Sequence, residues 1–139
     1  MSNPVTHFEV VGRDAEMLQR FYGEAFGWHI KPASPGYAMA LPGDSRGING
    51  GIGLPAEGGE PRVTFYVEVA DLEATLQYIE RLGGTRVSGP IDVPGGPSFA
   101  LFADPEGHIV GIARRATATR SLGIRSASGS SPTCRKNDR

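Results

Sequence analysis

The chain has 139 residues, enough for one domain with a real hydrophobic core. Its hydrophobic share is 39%, with 20 glycines and 11 prolines, which points to short strands joined by many turns and excludes a helical bundle. A net charge of −1 hides an asymmetry: residues 1–113 carry seven basic against 14 acidic side chains, and residues 114–139 carry seven basic against Asp138 alone.

No apolar run is long enough to cross a bilayer as a helix, which excludes a membrane-spanning helical protein. Residues 1–4 have neither a basic nor an apolar leader pattern, so no secretory signal is expected. Cys134 is the single cysteine, so no internal disulfide can form and a reducing cytoplasm is the expected compartment.

The first predicted strand is His7–Val11, where Phe8 and Val10 alternate with His7, Glu9 and Val11. Asp14 follows as a helix N-cap, with Glu16 adding negative charge to the first turn. Met17, Leu18, Phe21 and Tyr22 form an apolar helical face, and Gly27 supplies the stop. Three short strands are predicted next, at about 28–33, 37–41 and 48–54, separated by turns at Pro35-Gly36 and Pro42-Gly43-Asp44.

The same order then recurs. Laying Thr64 on His7 matches residues 7–30 to residues 64–87 without a gap. Identities fall at Phe8/Phe65, Val10/Val67, Asp14/Asp71, Glu16/Glu73 and Gly27/Gly84. The second copy has a strand at Val63–Val69, a cap at Asp71, and a helix with Leu72, Leu76, Ile79 and Leu82 on its apolar face. Its three later strands are predicted at about 85–88, 98–103 and 108–113, and Gly51-Ile52 corresponds to Gly111-Ile112 in the last strands. Residues 55–61 form the linker.

The expected fold is therefore α+β: two tandem βαβββ modules, about 4–54 and 62–113, forming an open sheet that lines a cleft, with helices on the outer face. Residues 114–139 are rich in Ser, Thr and Arg and show no sustained period, which predicts a basic disordered tail. Without interleaved aromatics or a reading helix, nucleic acid is not an expected partner.

The tandem modules, the strand-Asp-helix opening, the run Phe21-Tyr22-Gly23-Glu24-Ala25-Phe26-Gly27-Trp28 and the turn Asp104-Pro105-Glu106-Gly107-His108 carry a family resemblance. The chain resembles the vicinal oxygen chelate superfamily of glyoxalases, bleomycin resistance proteins and extradiol dioxygenases over residues 4–113. The resemblance implies a dimer and, in metal-using members, divalent ligands from the first and last strands of each module. Carried over by position, those places are His7, Gly51, Thr64 and Gly111. Glycine has no side chain and threonine is a poor ligand, so no metal residues are assigned and no cofactor is expected.

Phe8, Val10, Phe65 and Val67 are expected to face the helices. The opposite face then carries the ligand-binding candidates His7, Glu9, Thr64, Tyr66 and Glu68, with Asn49 added from the fourth strand. His7 and Glu9 are the candidates for acid/base work, although no second catalytic partner stands beside them. His29 and His108 read as surface or turn residues. The expected function is metal-independent binding of a small organic molecule in the cleft. One alternative is a lyase, isomerase or dioxygenase with an atypical metal site or His7/Glu9 chemistry, and another is a non-catalytic dimerisation subunit.

Overall fold

A computed structural model describes residues 2–56, 59–93 and 96–114. The first module comprises β1 (Val5–Val11), α1 (Ala15–Phe26), β2 (His29–Ser34), β3 (Tyr37–Leu41) and β4 (Gly50–Gly53). The second comprises β5 (Arg62–Val69), α2 (Leu72–Arg81), β6 (Thr85–Ile91), β7 (Phe99–Ala103) and β8 (Ile109–Arg114). All eight strands join one open sheet in the order β2-β3-β4-β1-β5-β8-β7-β6.

The repeat is visible in the pairing itself. β1 runs parallel to β4 and β5 runs parallel to β8, while β1 and β5 meet antiparallel at the centre. Phe8 stands directly opposite Phe65, the residue equivalent to it in the repeat. A pseudo-twofold therefore passes through this pair and relates Glu9–Thr64 to Tyr66–His7.

Both helices start where the sequence places their caps. The Asp14 carboxylate accepts a 3.0 Å bond from the Met17 N–H, and that of Asp71 accepts a 2.9 Å bond from Ala74. Each satisfies a donor that would otherwise be left free in the first turn. Asp14→Ala and Asp71→Ala are each expected to cost about 1 kcal/mol, with little coupling because the caps belong to separate modules. Urea unfolding of the single and double variants checks this; a cost near zero at either site would remove that cap from the account. α1 ends at Gly27, whose φ of 72° closes the helix in a left-handed turn.

Two packed clusters hold the helices on the sheet. Leu18 and Tyr22 of α1 pack with Phe8, Trp28 and Ile30 against buried Val10, Ala40 and Ile52. Leu72 and Leu76 of α2 pack with Val67 and Phe102 against Val69, Ala100 and Ile112. The other apolar helix positions, Met17, Phe21 and Leu82, stay exposed, so each buried face is narrower than expected. Gly50 lets the Phe8 ring lie on the sheet, since a Cβ there would stand 2.2 Å from it.

Three sequence expectations change in detail. Phe65 lies on the outer face as expected but is 43% exposed, beside Val63 at 72%. The reason is placement: α1 packs over β4, β2 and β3, and α2 over β6, β7 and β8. The outer side of the first half of β5, at Val63 and Phe65, is left between them, while Val67 and Val69 further along meet α2. β4 is shorter than expected, with Ile48 and Asn49 in the preceding loop. Arg114 belongs to β8 rather than to the tail, because its N–H donates a 3.0 Å bond to the Ser98 carbonyl. The rest of the tail, residues 115–139, lies outside the described residues. Among the described residues, no helix is long and apolar enough to cross a membrane.

Candidate functional site

The strand alternation brings His7 and Glu9 of β1, Tyr37 of β3 and Tyr66 of β5 together on the concave face. Glu9 is the hub. Its Oε1 accepts a 3.0 Å bond from the Tyr66 hydroxyl, and its Oε2 accepts a 3.1 Å bond from the Tyr37 hydroxyl. His7 Nε2 lies 3.2 Å from the Tyr37 oxygen. A phenol has one proton, and with that proton on Glu9 the Nε2 of His7 must be the donor. His7 is thereby fixed with its hydrogen on Nε2, leaving Nδ1 to accept.

Two glycines make room for this cluster. A Cβ at Gly51 would stand 1.6 Å from the Tyr37 hydroxyl, and one at Gly111 would stand 2.3 Å from the Tyr66 ring. Tyr66 is almost fully buried and meets the Phe99 ring edge-on at 6.1 Å, with the His7 ring on another side at 5.6 Å. Each tyrosine thus fills the space that a side chain at one of these repeat-equivalent glycines would need.

Burial sets the protonation states. Burial first, and then the Glu9 charge and its hydrogen bond, push both phenols well above their usual pKa of 10.0. Both hydroxyls therefore stay protonated as donors across the physiological range. Burial also lowers the His7 pKa from its usual 6.5, with Glu9 opposing in part.

A depressed pKa in the folded state means that stability is present above pH 6.5 and is lost as pH falls through the lower folded value. The stability of wild-type protein is expected to fall more steeply than that of His7→Gln between about pH 6.5 and pH 5. Urea titrations across that window check the difference; parallel curves would mean that His7 titrates as it does in the unfolded chain.

The remaining sequence candidates are placed as follows. Thr64 is buried, and its hydroxyl donates a 2.6 Å bond to the Ile109 carbonyl, so it ties β5 to the start of β8. Glu68 shares the concave face with Tyr66 but lies two residues further along, opposite Ala113. Asn49 is exposed and immediately precedes β4. His29 is exposed on β2, and the His108 ring contacts Asp104 within its turn, at 3.0 Å from Oδ2. Grooves of about 250 and 240 Å³ lie at the N-terminal ends of α2 and α1, and Tyr37 lines the second of them.

Comparison with known proteins agrees with this architecture. The sequence profile of the glyoxalase-like domain matches residues 8–112. The chain belongs to that family, within the vicinal oxygen chelate superfamily. A glyoxylase-like domain-containing protein of Didymella fabae is 30% identical over 119 residues, covering 80% of this chain and 93% of the relative. A glyoxalase/bleomycin resistance protein/dioxygenase superfamily member from Vibrio splendidus has the same fold, with TM-score 0.58 and 15% identity over 82% of this chain and 100% of its own. The Mn(II)-bound glyoxalase of Novosphingobium aromaticivorans matches at TM-score 0.54 and 17% identity, over 81% of this chain and 40% of its own.

In this glyoxalase-like chain the residues at the four metal-ligand places do not fit a divalent ion. His7 has its Nε2 toward Tyr37, Thr64 donates to a carbonyl, and tyrosines occupy the space above Gly51 and Gly111. Among the described residues, no group of three or more His, Cys, Asp or Glu is arranged to hold an ion. Sequence reasoning named His7, Glu9 and Tyr66 as candidates and did not single out Tyr37. The available signal was Gly51: a glycine inside a strand marks a close approach, which here is made by Tyr37.

Proposed function

We propose that this glyoxalase-like protein binds a small organic molecule on its concave face without a resident metal ion. The observation that carries the proposal is the filling of the Gly51 and Gly111 spaces by Tyr37 and Tyr66, which replaces metal donors with a hydrogen-bonded polar platform. Such a platform, walled by Phe99 and Leu101, combines apolar contact with a few placed polar groups.

A ligand screen by NMR on EDTA-treated full-length protein tests this. Binding is expected to move signals of Glu9, Tyr37 and Tyr66 and to be unaffected by added Mn(II). Binding that disappears on chelation and returns with the metal would overturn the metal-free reading.

The link from His7 through Tyr37 to Glu9 favours a second reading, proton transfer at a carbon next to a carbonyl, with Glu9 as the base. Incorporation of solvent deuterium into a bound carbonyl compound, lost in Glu9→Gln, would support it over simple binding. The proposal extends to a homodimer in a reducing cytoplasm, which sedimentation velocity and cell fractionation check.

A further inference from the structure

The face that carries the cluster holds another charged side chain, which sequence reasoning did not single out. Arg62 opens β5 and shares its concave face with Thr64 and Tyr66, because alternate residues of a strand point the same way. It pairs with Val11 on β1, whereas Glu9 pairs with Thr64, so Arg62 and Glu9 are diagonal neighbours. Backbones in that relation lie roughly 7–8 Å apart. Among the described residues Arg62 forms no ion pair with any carboxylate. Its Nη1 donates a long 3.5 Å bond to the Glu60 carbonyl, and its Nε is buried with no acceptor. Buried guanidinium donors normally have partners, so this one is short of an anion. Both its charge and a hydrogen bond from its side chain reach Tyr66, where they oppose the rise in the phenol pKa, so a neutral phenol is the nearest group it meets on this face.

The rest of the cluster has the opposite character. Both phenol protons go to Glu9 and the His7 Nε2 proton goes to Tyr37. The open valences on Glu9 and on His7 Nδ1 therefore both accept, while the Tyr66 oxygen already faces the Arg62 donors. A ligand that satisfies this face must bring an anion to Arg62 and a hydrogen-bond donor to the acceptors beside it. A second anionic group would lie against Glu9, which disfavours dicarboxylates.

We propose that Arg62 is the anion-recognition residue of the cleft, and that the ligand is a small monocarboxylic acid carrying a hydroxyl group. The carboxylate sits on the guanidinium, where charge-assisted hydrogen bonds in a partly desolvated site are strong and direction-specific. The hydroxyl donates to the Glu9 carboxylate. This inference rests on the cleft-binding reading above and names the class of ligand for it.

The arginine Nε–H signals of ¹⁵N-labelled full-length protein give a direct readout, with Arg62→Lys identifying the Arg62 peak. Lactate, propionate and lactamide are titrated at matched ionic strength. Lactate is expected to move the Arg62 Nε–H and Tyr66 ring signals saturably. Propionate, which lacks the donor, should bind several-fold more weakly, and lactamide should leave Arg62 unmoved. Arg62→Gln should weaken lactate about tenfold, the value expected for one charge-assisted hydrogen bond.

Equal effects of lactate and lactamide, or an unchanged lactate affinity in Arg62→Gln, would overturn the anion role and leave the cleft-binding reading intact. Shifts at Arg62 that grow linearly and match those from sodium chloride would do the same. If no compound in this set or the wider screen moves the signals of Glu9, Tyr37 or Tyr66, both readings fail together.

Discussion

Gly111→Ala is expected to destabilise the protein by about 3 kcal/mol, and Gly51→Ala by about 2 kcal/mol. Neither glycine has a positive φ, so alanine suits both backbones and the cost has to come from what the new methyl meets. At Gly111 the methyl would meet the middle of the Tyr66 ring, at 2.3 Å from two ring carbons. That ring is held by Phe99, His7 and Glu9, so it cannot swing away freely. At Gly51 the nearest atom is the Tyr37 hydroxyl, the far end of its side chain, which can move into the cleft by giving up its bonds to Glu9 and His7. Double-mutant cycles isolate the cause. In a Tyr37→Ala background the Gly51→Ala change should cost less than about 0.5 kcal/mol, since only the helpful loss of chain entropy remains. The Tyr66→Ala cycle should behave alike, and the Tyr37 cycle stands alone if Tyr66→Ala fails to fold. Additive costs in both cycles would show that the glycines are needed for a reason other than the tyrosines.

This coupling between glycine and tyrosine also explains what could and could not be read from the chain. The repeat was legible because cap and helix face recur in one register, although α2 stops at Leu82, before Gly84, and each is a local choice made by a few adjacent residues. Strand alternation was legible for the same reason, and it put His7, Glu9 and Tyr66 on one face. Tyr37 was not, because its partners are 28 and 30 residues away and alternation alone does not say which face of β3 turns inward. Arg62 was hidden by its place at the first residue of a strand, where a charged side chain reads as surface. Asn49 stands one residue before its strand begins, so strand alternation does not fix the direction of its side chain. Phe65 shows the limit of assigning faces by hydrophobicity, since an apolar residue can lie on the helix side and still find no helix above it.

The pseudo-twofold makes the site's asymmetry informative. Glu9 and Tyr66 occupy equivalent positions of the two copies, as do His7 and Thr64. In the first copy this pair of positions holds an acid and an imidazole, while in the second it holds a phenol and a buried hydroxyl bonded to backbone. At these two positions the carboxylate therefore belongs to the first copy, and the hydrogen bonds that it accepts come partly from the second. A symmetrical arrangement would place two carboxylates opposite two imidazoles, a set suited to an ion. The set present here is suited to one carboxylate held by two phenols.

Removing that carboxylate is the other change with a large expected effect. Glu9→Leu leaves both phenols without their acceptor, and bonds to a charged group contribute about 1.5–3 kcal/mol each, offset in part by relief of the carboxylate's own desolvation. A net loss of about 3 kcal/mol is expected, and about half of that for Glu9→Gln, whose amide oxygen still accepts one bond. The alkaline limb gives the sharper test. Phenols in the unfolded chain ionise near pH 10, while burial and Glu9 hold Tyr37 and Tyr66 protonated in the folded state. Above pH 10 the unfolded state therefore binds fewer protons, and stability falls as pH rises, by about 2.7 kcal/mol per pH unit for two such groups. In Glu9→Gln the charge is gone and one of the two hydrogen bonds is lost, but burial remains, so both phenol pKa values should drop toward 10 without reaching it. Tyrosinate absorbance during an alkaline titration should show two late-ionising tyrosines in the wild type that ionise earlier in Glu9→Gln. Stability should level off at correspondingly lower pH. Unchanged titration of both tyrosines in that variant would mean that Glu9 is a bystander to the cluster and that burial alone sets its protonation.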